Sequence, residues 1–193
     1  MNCAKIICIL IVFRCINNGI YAQDGNAGTH ERWEYLLEDT GDVLQLALPL
    51  SAGLATILQK DYEGTKQLAF SYATAIAITY SLKYTTRKLR PEGRTSYDSF
   101  PSGHTSSAFS GASFIQRRYG WKYGKYAYIL AALVGVSRME GPDGYHDIWD
   151  VLGGAAVGIG STYLFTKPYE NSKVAVSFSA NNDMKLLTLR FNF

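Results

Sequence analysis

The segment Pro101-Ser-Gly-His104 joins a proline-led turn to the start of a helix. Ser102 occupies an N-cap position, and residues 103–118 are predicted to be helical. A helix N-terminus presents free backbone N–H groups and the positive end of its dipole, so this turn could bind an anion. His104 stands in the first turn, where it could donate a proton to that anion. A capped helix with an incidental histidine is the competing interpretation.

A second candidate pair is His146 and Asp150, four residues apart. Side chains at i and i+4 meet on a helix, so Asp150 could accept a hydrogen bond from one imidazole nitrogen. That bond would fix the tautomer and leave the other nitrogen free as a nucleophile or base. The alternative is a histidine at a helix start beside an aspartate of the first turn.

Three basic residues have spacings that could serve phosphate binding. Lys83 and Arg90 are seven residues apart, which predicts one face of a helix that ends before Pro91. Arg138 ends another apolar helix. Converging cations can clamp a phosphate, Arg as a bidentate fork and Lys as a point charge. Taken one at a time, long cations at helix ends more often form a solvated edge.

Taken in chain order, these motifs resemble the signature of the type 2 phosphatidic acid phosphatase (PAP2) family. The motifs are Lys83-x6-Arg90-Pro91, Pro101-Ser-Gly-His104, and Ser137-Arg138 with His146-x3-Asp150. Acid phosphatases and vanadium haloperoxidases share this signature. The resemblance implies an all-α fold, a compact bundle of about five to six helices. It also implies a phosphoryl transfer that needs no metal or cofactor and passes through a phosphohistidine.

The resemblance assigns a role to each motif residue. His146 would attack phosphorus, Asp150 would orient it and stabilise its positive charge, and His104 would protonate the leaving oxygen. Preorganised cations and N–H donors stabilise the charge that spreads over the equatorial oxygens in the transition state. The residues implied to bind those oxygens are Lys83, Arg90, Ser102, Gly103 and Arg138.

Two spacings depart from the family pattern. Seven residues separate Arg138 from His146 where the family usually has five, and the nine residues between Pro91 and Pro101 are few. The extra pair falls in the turn-like sequence 141–144, which can bulge without moving either helix. His146 therefore stays the expected nucleophile, while the position of Arg138 depends on that bulge.

The N-terminus resembles a secretory signal peptide over residues 1–22. Lys5 precedes the apolar run 6–13, and Ala22 is a small residue at a suitable cleavage position. Eight apolar residues are too few to span a bilayer, although an uncleaved anchor is an alternative. All three cysteines lie in this segment, so the mature chain would contain no disulfide. We expect export to the periplasm or cell envelope.

Charge argues against a nucleic-acid partner. Removal of the signal peptide would take away Lys5 and Arg14 and lower the net charge from +3 to +1. A nucleic-acid-binding domain more often carries a general basic excess.

We expect a lead-in at residues 23–41, with a short amphipathic piece at 33–38, and a phosphatase domain at 42–168. Its helices are predicted at 42–59 (kinked or broken at Pro49), 65–87, 103–118, 124–138 and 148–165. Apolar runs of about 12 to 18 residues are short for bilayer spans. This favours a compact bundle at the membrane surface, with an integral bundle as the alternative.

The C-terminal residues 169–193 show a two-residue alternation that predicts a β-hairpin. Such a hairpin could pack on the helices or pair with another copy of the chain, giving a homo-oligomer.

The expected function is an exported phosphatase that acts on phosphate monoesters or diphosphates. The resemblance and the aromatic-rich apolar segments favour a lipid of the cell envelope as substrate, and the membrane surface as a partner. A vanadate-dependent haloperoxidase is an alternative, because the same site binds vanadate, but those relatives are generally far larger. A non-catalytic envelope protein that kept the fold and associates through its hairpin is another.

Overall fold

The computed structural model of this chain describes residues 31–91, 95–142, 146–169, 174–181 and 184–191. Within these ranges there are five α helices: α1 Arg32–Leu58, α2 Tyr62–Thr86, α3 Gly103–Tyr119, α4 Trp121–Glu140 and α5 Ile148–Phe165. The expected signal peptide and residues 23–30 of the expected lead-in lie outside the described residues. As predicted, the described residues between 31 and 169 form a bundle of helices without strands.

After the helices, the backbone forms two strands, β1 Val174–Asn181 and β2 Met184–Phe191. They pair antiparallel, with Val174 opposite Phe191 and Asn181 opposite Met184. Residues 182–183, between them, lie outside the described ranges. Whether this hairpin packs on the helices or joins two copies of the chain stays a prediction.

Helix α3 is the centre of the bundle and packs against each of the other four helices. Most of its residues are buried, and most of those are Ser, Ala, Gly or Thr. Small side chains let neighbouring helices approach closely. The core around α3 therefore contains few large side chains, and the helices contact one another at short distances. One apolar cluster contains Ala108 and Ala112 of α3 together with Leu44, Leu48 and Val134.

The contact between α3 and α5 is close enough to involve the backbone. A methyl group at Gly154 would lie 2.5 Å from the carbonyl oxygen of Ser102. One turn further on, a methyl group at Gly158 would lie 2.5 Å from the carbonyl oxygen of Ser106. Glycine is therefore required at both positions, and the start of α5 lies directly beside the start of α3.

Helix α1 is continuous from Arg32 to Leu58, so the piece predicted at 33–38 is part of a longer helix, and of the kink or break predicted at Pro49 the break does not occur. Proline has no N–H, so the carbonyl of Gln45 loses its usual partner within the helix. The hydroxyl of Ser107 in α3 donates to that carbonyl at 2.7 Å. Gly111 leaves room for the proline, since a methyl group there would lie 2.5 Å from the Pro49 nitrogen. Helix α3 thus compensates for the proline.

Two helices are also longer than the apolar runs suggested. Helices α1 and α2 have 27 and 25 residues, because both continue through polar positions. For α1, the expected limit on length therefore does not hold, whereas α5 has the predicted 18 residues. By length and composition, α1 and α5 could each cross a bilayer, and only 28% and 33% of their apolar segments are buried.

Large apolar side chains are widely exposed on the described surface. Those more than half exposed include Leu46, Leu50, Ile57, Leu58, Phe70, Ile129, Leu152 and Leu164. An apolar surface of this extent is unusual for a monomer in water and is typical of contact with lipid. The bundle is therefore suited to membrane association.

Candidate active site

The candidate site lies where α3 and α5 begin. The N–H of Ser102 donates to the carbonyl of Asp150 at 2.9 Å and so joins the two helix starts. The predicted N-cap is confirmed, because the buried Ser102 hydroxyl accepts from the N–H of Thr105 and, at 3.0 Å, from the Thr105 hydroxyl. At Gly103, an added methyl group would meet no atom within 4 Å. There is therefore unfilled space beside Gly103 in the first turn of α3.

His146 lies just before α5 rather than within it, since Asp147 is the N-cap of that helix. The expectation that His146 and Asp150 share a helical face is wrong in this respect, yet the side chains still meet. Nδ1 of His146 is 3.5 Å from Oδ2 of Asp150, an ion-pair distance at which no hydrogen bond forms in this arrangement. Both side chains are buried. The carboxylate faces Nδ1, which leaves Nε2 as the nitrogen available for chemistry.

The surroundings favour a neutral His146. Burial lowers the pKa of the imidazole, Asp150 opposes this, and the nearby positive charges of Lys83 and Arg90 lower it again. A neutral imidazole has the lone pair that a nucleophile or base needs. The effect of Lys83 and Arg90 also means that two predicted phosphate ligands lie close to His146.

The Asp150 carboxylate is fully buried and fixed from several directions. Lys88 Nζ lies 2.9 Å from its Oδ1. The Ser99 hydroxyl and the N–H of Asp147 both donate to its Oδ2. Lys88 also pairs with the carboxylate of Asp147. Sequence reasoning missed Lys88 and Ser99; Ser99 at least lies next to a motif, whereas nothing in the local pattern marks Lys88.

The geometry of the first motif differs from the expected helical face. Helix α2 ends at Thr86, so Lys83 lies in its last turn and Arg90 lies in the loop beyond. Asp98 brings the two cations together. Lys83 donates to the backbone carbonyl of Asp98, and Arg90 donates twice to its carboxylate, at 2.8 and 2.9 Å. The bonds from Arg90 are the main reason that the pKa of Asp98 falls to about 2.

The two residues that flank the long gap, Arg138 and His146, lie next to each other. The N–H of His146 donates to the carbonyl of Arg138 at 3.2 Å. The backbones of Arg138 and His146 are therefore in direct contact. Residues 143 and 144 of the predicted bulge lie outside the described ranges. The two extra residues therefore do not separate Arg138 from His146.

Arg138 is almost completely buried in the last turn of α4 and is held largely by α1. Its Nη1 lies 3.0 Å from Oδ1 of Asp42, and its Nη2 donates to the carbonyl of Glu38 at 3.0 Å. Its Nε donates to the Ser137 hydroxyl at 3.3 Å. Each of the three guanidinium nitrogens of Arg138 therefore already has a partner within the protein.

His104 contacts the same aspartate as Arg138. Its Nε2 is 3.2 Å from Oδ1 of Asp42. Burial and then the charge of Arg138 lower the pKa of His104 to about 4, Asp42 acts in the opposite direction, and His146 lowers it slightly more. Sequence reasoning also missed Asp42, although a carboxylate inside an apolar helix is a usable signal.

The structure therefore brings the predicted residues of all three motifs to one end of the bundle. In the described ranges, no group of three or more histidine, cysteine, aspartate or glutamate side chains is arranged to ligate a metal ion. What the site offers is two histidines, several cations and a helix N-terminus. This combination suits a phosphate ester.

Comparison with known proteins agrees with that chemistry. The family model of the PAP2 superfamily matches residues 64–173. A lipid A 4'-phosphatase of Helicobacter pylori is 32% identical over 161 residues, which are 78% of this chain and 80% of that protein. The chain belongs to the PAP2 superfamily. It is a PAP2-type phosphate monoester hydrolase.

Two further relatives extend the comparison. A lipid A 1-phosphatase of Porphyromonas gingivalis is 42% identical over 80 residues, which are 40% of this chain but 17% of that protein. The crystal structure of Aquifex aeolicus LpxE superposes with a TM-score of 0.59 at 22% identity, covering 80% of this chain and 92% of that one. The latter establishes a shared fold. The PAP2 match includes all motif residues but not Asp42 or the rest of α1.

Proposed function

We propose that this PAP2 phosphatase removes a phosphate monoester from a lipid of the lipid A type, through a phosphohistidine on His146. The observation that carries the proposal is the hydrogen bond between the Ser102 N–H and the Asp150 carbonyl. It sets a helix N-terminus suited to phosphate beside a buried histidine–aspartate pair. A phosphate bound at that N-terminus would therefore lie next to a nucleophile.

In the first step, His146 Nε2 attacks phosphorus in line with the ester oxygen. A nitrogen–phosphorus bond forms while the bond from phosphorus to the lipid oxygen breaks. Without a phosphate, His104 has a pKa of about 4, and the negative charge of a bound phosphate would raise it, so that the imidazole carries a proton in the complex. His104 donates this proton to the leaving oxygen, so the lipid leaves as a neutral alcohol. A second histidine is needed because an alkoxide is a poor leaving group unless it is protonated as it departs.

In the second step, water attacks the phosphohistidine and His104 accepts one of its protons. The nitrogen–phosphorus bond breaks, and inorganic phosphate is released. His146 returns to the neutral imidazole and His104 to the protonated form. Asp150 stabilises the positive charge that His146 carries while the phosphate is attached.

The equatorial phosphate oxygens require donors that are in place before the reaction begins. The Ser102 hydroxyl accepts its hydrogen bonds from Thr105, so its own proton is available to a phosphate. The N–H of Gly103 belongs to the first turn of α3, where backbone N–H groups have no acceptor within the helix. Lys83, Arg90 and Arg138 supply the positive charge, each held by a carboxylate or carbonyl.

A lipid substrate is supported by the named activities of the relatives and by the apolar side chains beside the site. Ile148 and Trp149 follow the N-cap of α5 and are exposed, as is Leu89, which adjoins Lys88. Tyr97, next to Asp98, is exposed as well. Charged residues interleaved with exposed apolar ones suit a headgroup whose acyl chains stay in a bilayer.

The 4'-phosphate is the first position to test, because the 4'-phosphatase matches over most of its own length. Export to the envelope, with cleavage after residue 22, is part of the same proposal.

The experiment uses the full-length protein in detergent micelles with bis-phosphorylated lipid A and no added metal. Phosphate release and mass spectrometry of the lipid should show loss of one phosphate. Brief incubation with radiolabelled substrate should leave an acid-labile label on the protein. His146→Ala should abolish release and label, and His30→Ala, a histidine outside the motifs, should keep both.

Two outcomes would overturn the proposal in different ways. Release at the unaltered rate by His146→Ala would refute the phosphohistidine mechanism. Hydrolysis of water-soluble phosphate esters without hydrolysis of lipid A would refute the lipid assignment.

A further inference from the structure

Asp42 contacts two groups of the site through a single atom. Its Oδ1 lies 3.0 Å from Arg138 Nη1 and 3.2 Å from His104 Nε2. The two partners come from different helices, α4 and α3, and Asp42 comes from a third. One carboxylate oxygen of α1 is therefore shared between a predicted phosphate ligand and the predicted proton donor.

The position of Asp42 is set by close contacts between α1 and α4 just before it in the chain. A methyl group at Gly41 would overlap the hydroxyl of Ser137, so α1 lies directly against α4 at this point. One turn earlier, the Glu38 carbonyl accepts from Arg138 Nη2 at 3.0 Å. The contacts of Asp42 thus follow from how α1 docks, even though its side chain is half exposed.

We propose that Asp42 is a positioning residue for the phosphatase reaction, which holds His104 as the proton donor and Arg138 at the phosphate site together. The inference rests on the proposed function, because it takes His104 to be the group that protonates the leaving oxygen. It adds a residue outside the three motifs, from a helix that the PAP2 match does not include.

A general acid must carry its proton on the nitrogen that faces the leaving group, and this requirement is the physical reason for the proposal. With Nε2–H directed at Asp42, the proton transferred to the leaving group is the one on Nδ1, so the carboxylate selects the reacting nitrogen. The charged groups that face His104 are Asp42 from α1, Arg138 from α4 and His146 from the segment before α5. Burial, Arg138 and His146 disfavour the imidazolium, and Asp42 favours it. Asp42 therefore supports the protonation state that the first step consumes.

The test compares Asp42→Asn with Asp39→Asn, which removes the same charge from an exposed position on the same helix. Each variant is assayed in detergent with an aryl phosphate, whose leaving group needs no proton, and with an alkyl phosphate, whose leaving group needs one. For Asp42→Asn we expect kcat on the alkyl phosphate to fall about 10- to 100-fold. The fall on the aryl phosphate should be clearly smaller, and Asp39→Asn should change neither.

Two further readouts separate positioning from a structural role. The basic limb of the kcat–pH profile should move to lower pH in Asp42→Asn, because the imidazolium of His104 loses its stabilising charge. In a His104→Ala background, Asp42→Asn should have little further effect on the alkyl phosphate, since the two residues act as one unit. Asp42→Glu, which keeps the charge, should recover part of the alkyl activity and serves as the test variant if Asp42→Asn does not fold.

Several results would overturn the proposal. Equal losses on both substrates with an unmoved basic limb would show that Asp42 does not act through His104. Undiminished kcat with tighter inhibition by inorganic phosphate would show that the carboxylate merely occupies the anion position. Failure of the proposed function is seen separately, as a His146→Ala variant that still hydrolyses both substrates.

Discussion

Lys88→Met tests whether Asp150, the carboxylate beside the proposed nucleophile His146, depends on a lysine to which the first motif assigns no role. Methionine keeps most of the length and the apolar stem of lysine but removes the charge. Lys88 Nζ lies 2.9 Å from Oδ1 of Asp150, whose side chain is fully buried, while the Lys88 side chain is 34% exposed. The substitution would leave Asp150 with only the neutral donors Ser99 and Asp147.

The magnitude follows from that geometry. At 2.9 Å and an effective dielectric constant of about 20, the gross attraction is about 6 kcal/mol. Desolvation of the carboxylate and partial exposure of Lys88 offset most of this. The net loss expected for a hydrogen bond to a charged group is about 1.5–3 kcal/mol. If the loss is fully felt in the transition state, kcat falls about 10- to 100-fold.

The assay combines thermal unfolding in detergent with kcat and KM on a phosphate monoester. Lys66→Met, an exposed lysine on α2, is the matched control and should match the unaltered protein. Lys83→Met is the informative comparison, because Lys83 is a proposed phosphate ligand and its loss should raise KM. Lys88→Met should mainly lower kcat and stability. If Lys88→Met equals Lys66→Met in both measurements, the reasoning about Asp150 is refuted.

Three further predictions follow from other contacts. Ser107→Ala should lower the free energy of unfolding by about 1–3 kcal/mol, because a carbonyl of α1 loses its donor, as read from chemical denaturation. Arg118→Met should lower it by about 3–5 kcal/mol, because the buried carboxylate of Asp61 loses its partner, by the same measurement. The acid limb of the kcat/KM–pH profile should lie below pH 6.5, since the pKa of His146 is lowered and the neutral form reacts; Lys83→Met should move that limb upward.

Each of the two stability predictions has a matched control variant. Ser81→Ala, on the exposed side of α2, and Lys122→Met, an exposed cation on α4, should change stability little. Equal effects of Ser107→Ala and Ser81→Ala would contradict the role given to the proline-compensating hydroxyl. If Arg118→Met and Lys122→Met lower the free energy of unfolding equally, the ion pair between Arg118 and Asp61 contributes little to stability. An acid limb above pH 6.5 would contradict a neutral, buried His146.

Local patterns predicted much of the helical fold. The N-cap at Ser102 and the span of α5 need only neighbouring residues, because capping and helix continuation act within a few positions. Local sequence could not decide between a kink and a break at Pro49, for the complementary reason. Whether a helix continues through proline depends on whether another element satisfies the freed carbonyl, and here the donor, Ser107, is 62 residues away from Gln45.

The motif residues were identifiable because phosphoryl transfer restricts residue type: few side chains can attack, protonate or neutralise a phosphate. Their geometry was less accessible. Lys83 and Arg90 were expected on one helical face, but the chain leaves the helix after Thr86, and Asp98 brings the two cations together. That contact depends on the path of the loop, which helical periodicity does not describe.

For this protein, the sequence by itself determined the order of the motifs and the set of candidate reacting groups, since both depend on residue type, short spacing and the resemblance to the PAP2 signature. Only the tertiary structure decided what holds those groups. Lys88 behind Asp150 and Asp42 between His104 and Arg138 are contacts between elements far apart in the chain. They exist because small residues let α1 and α5 pack directly against their neighbours, as Gly41 and Gly154 do. Such packing depends on the assembled bundle, and no local stretch of residues contains it.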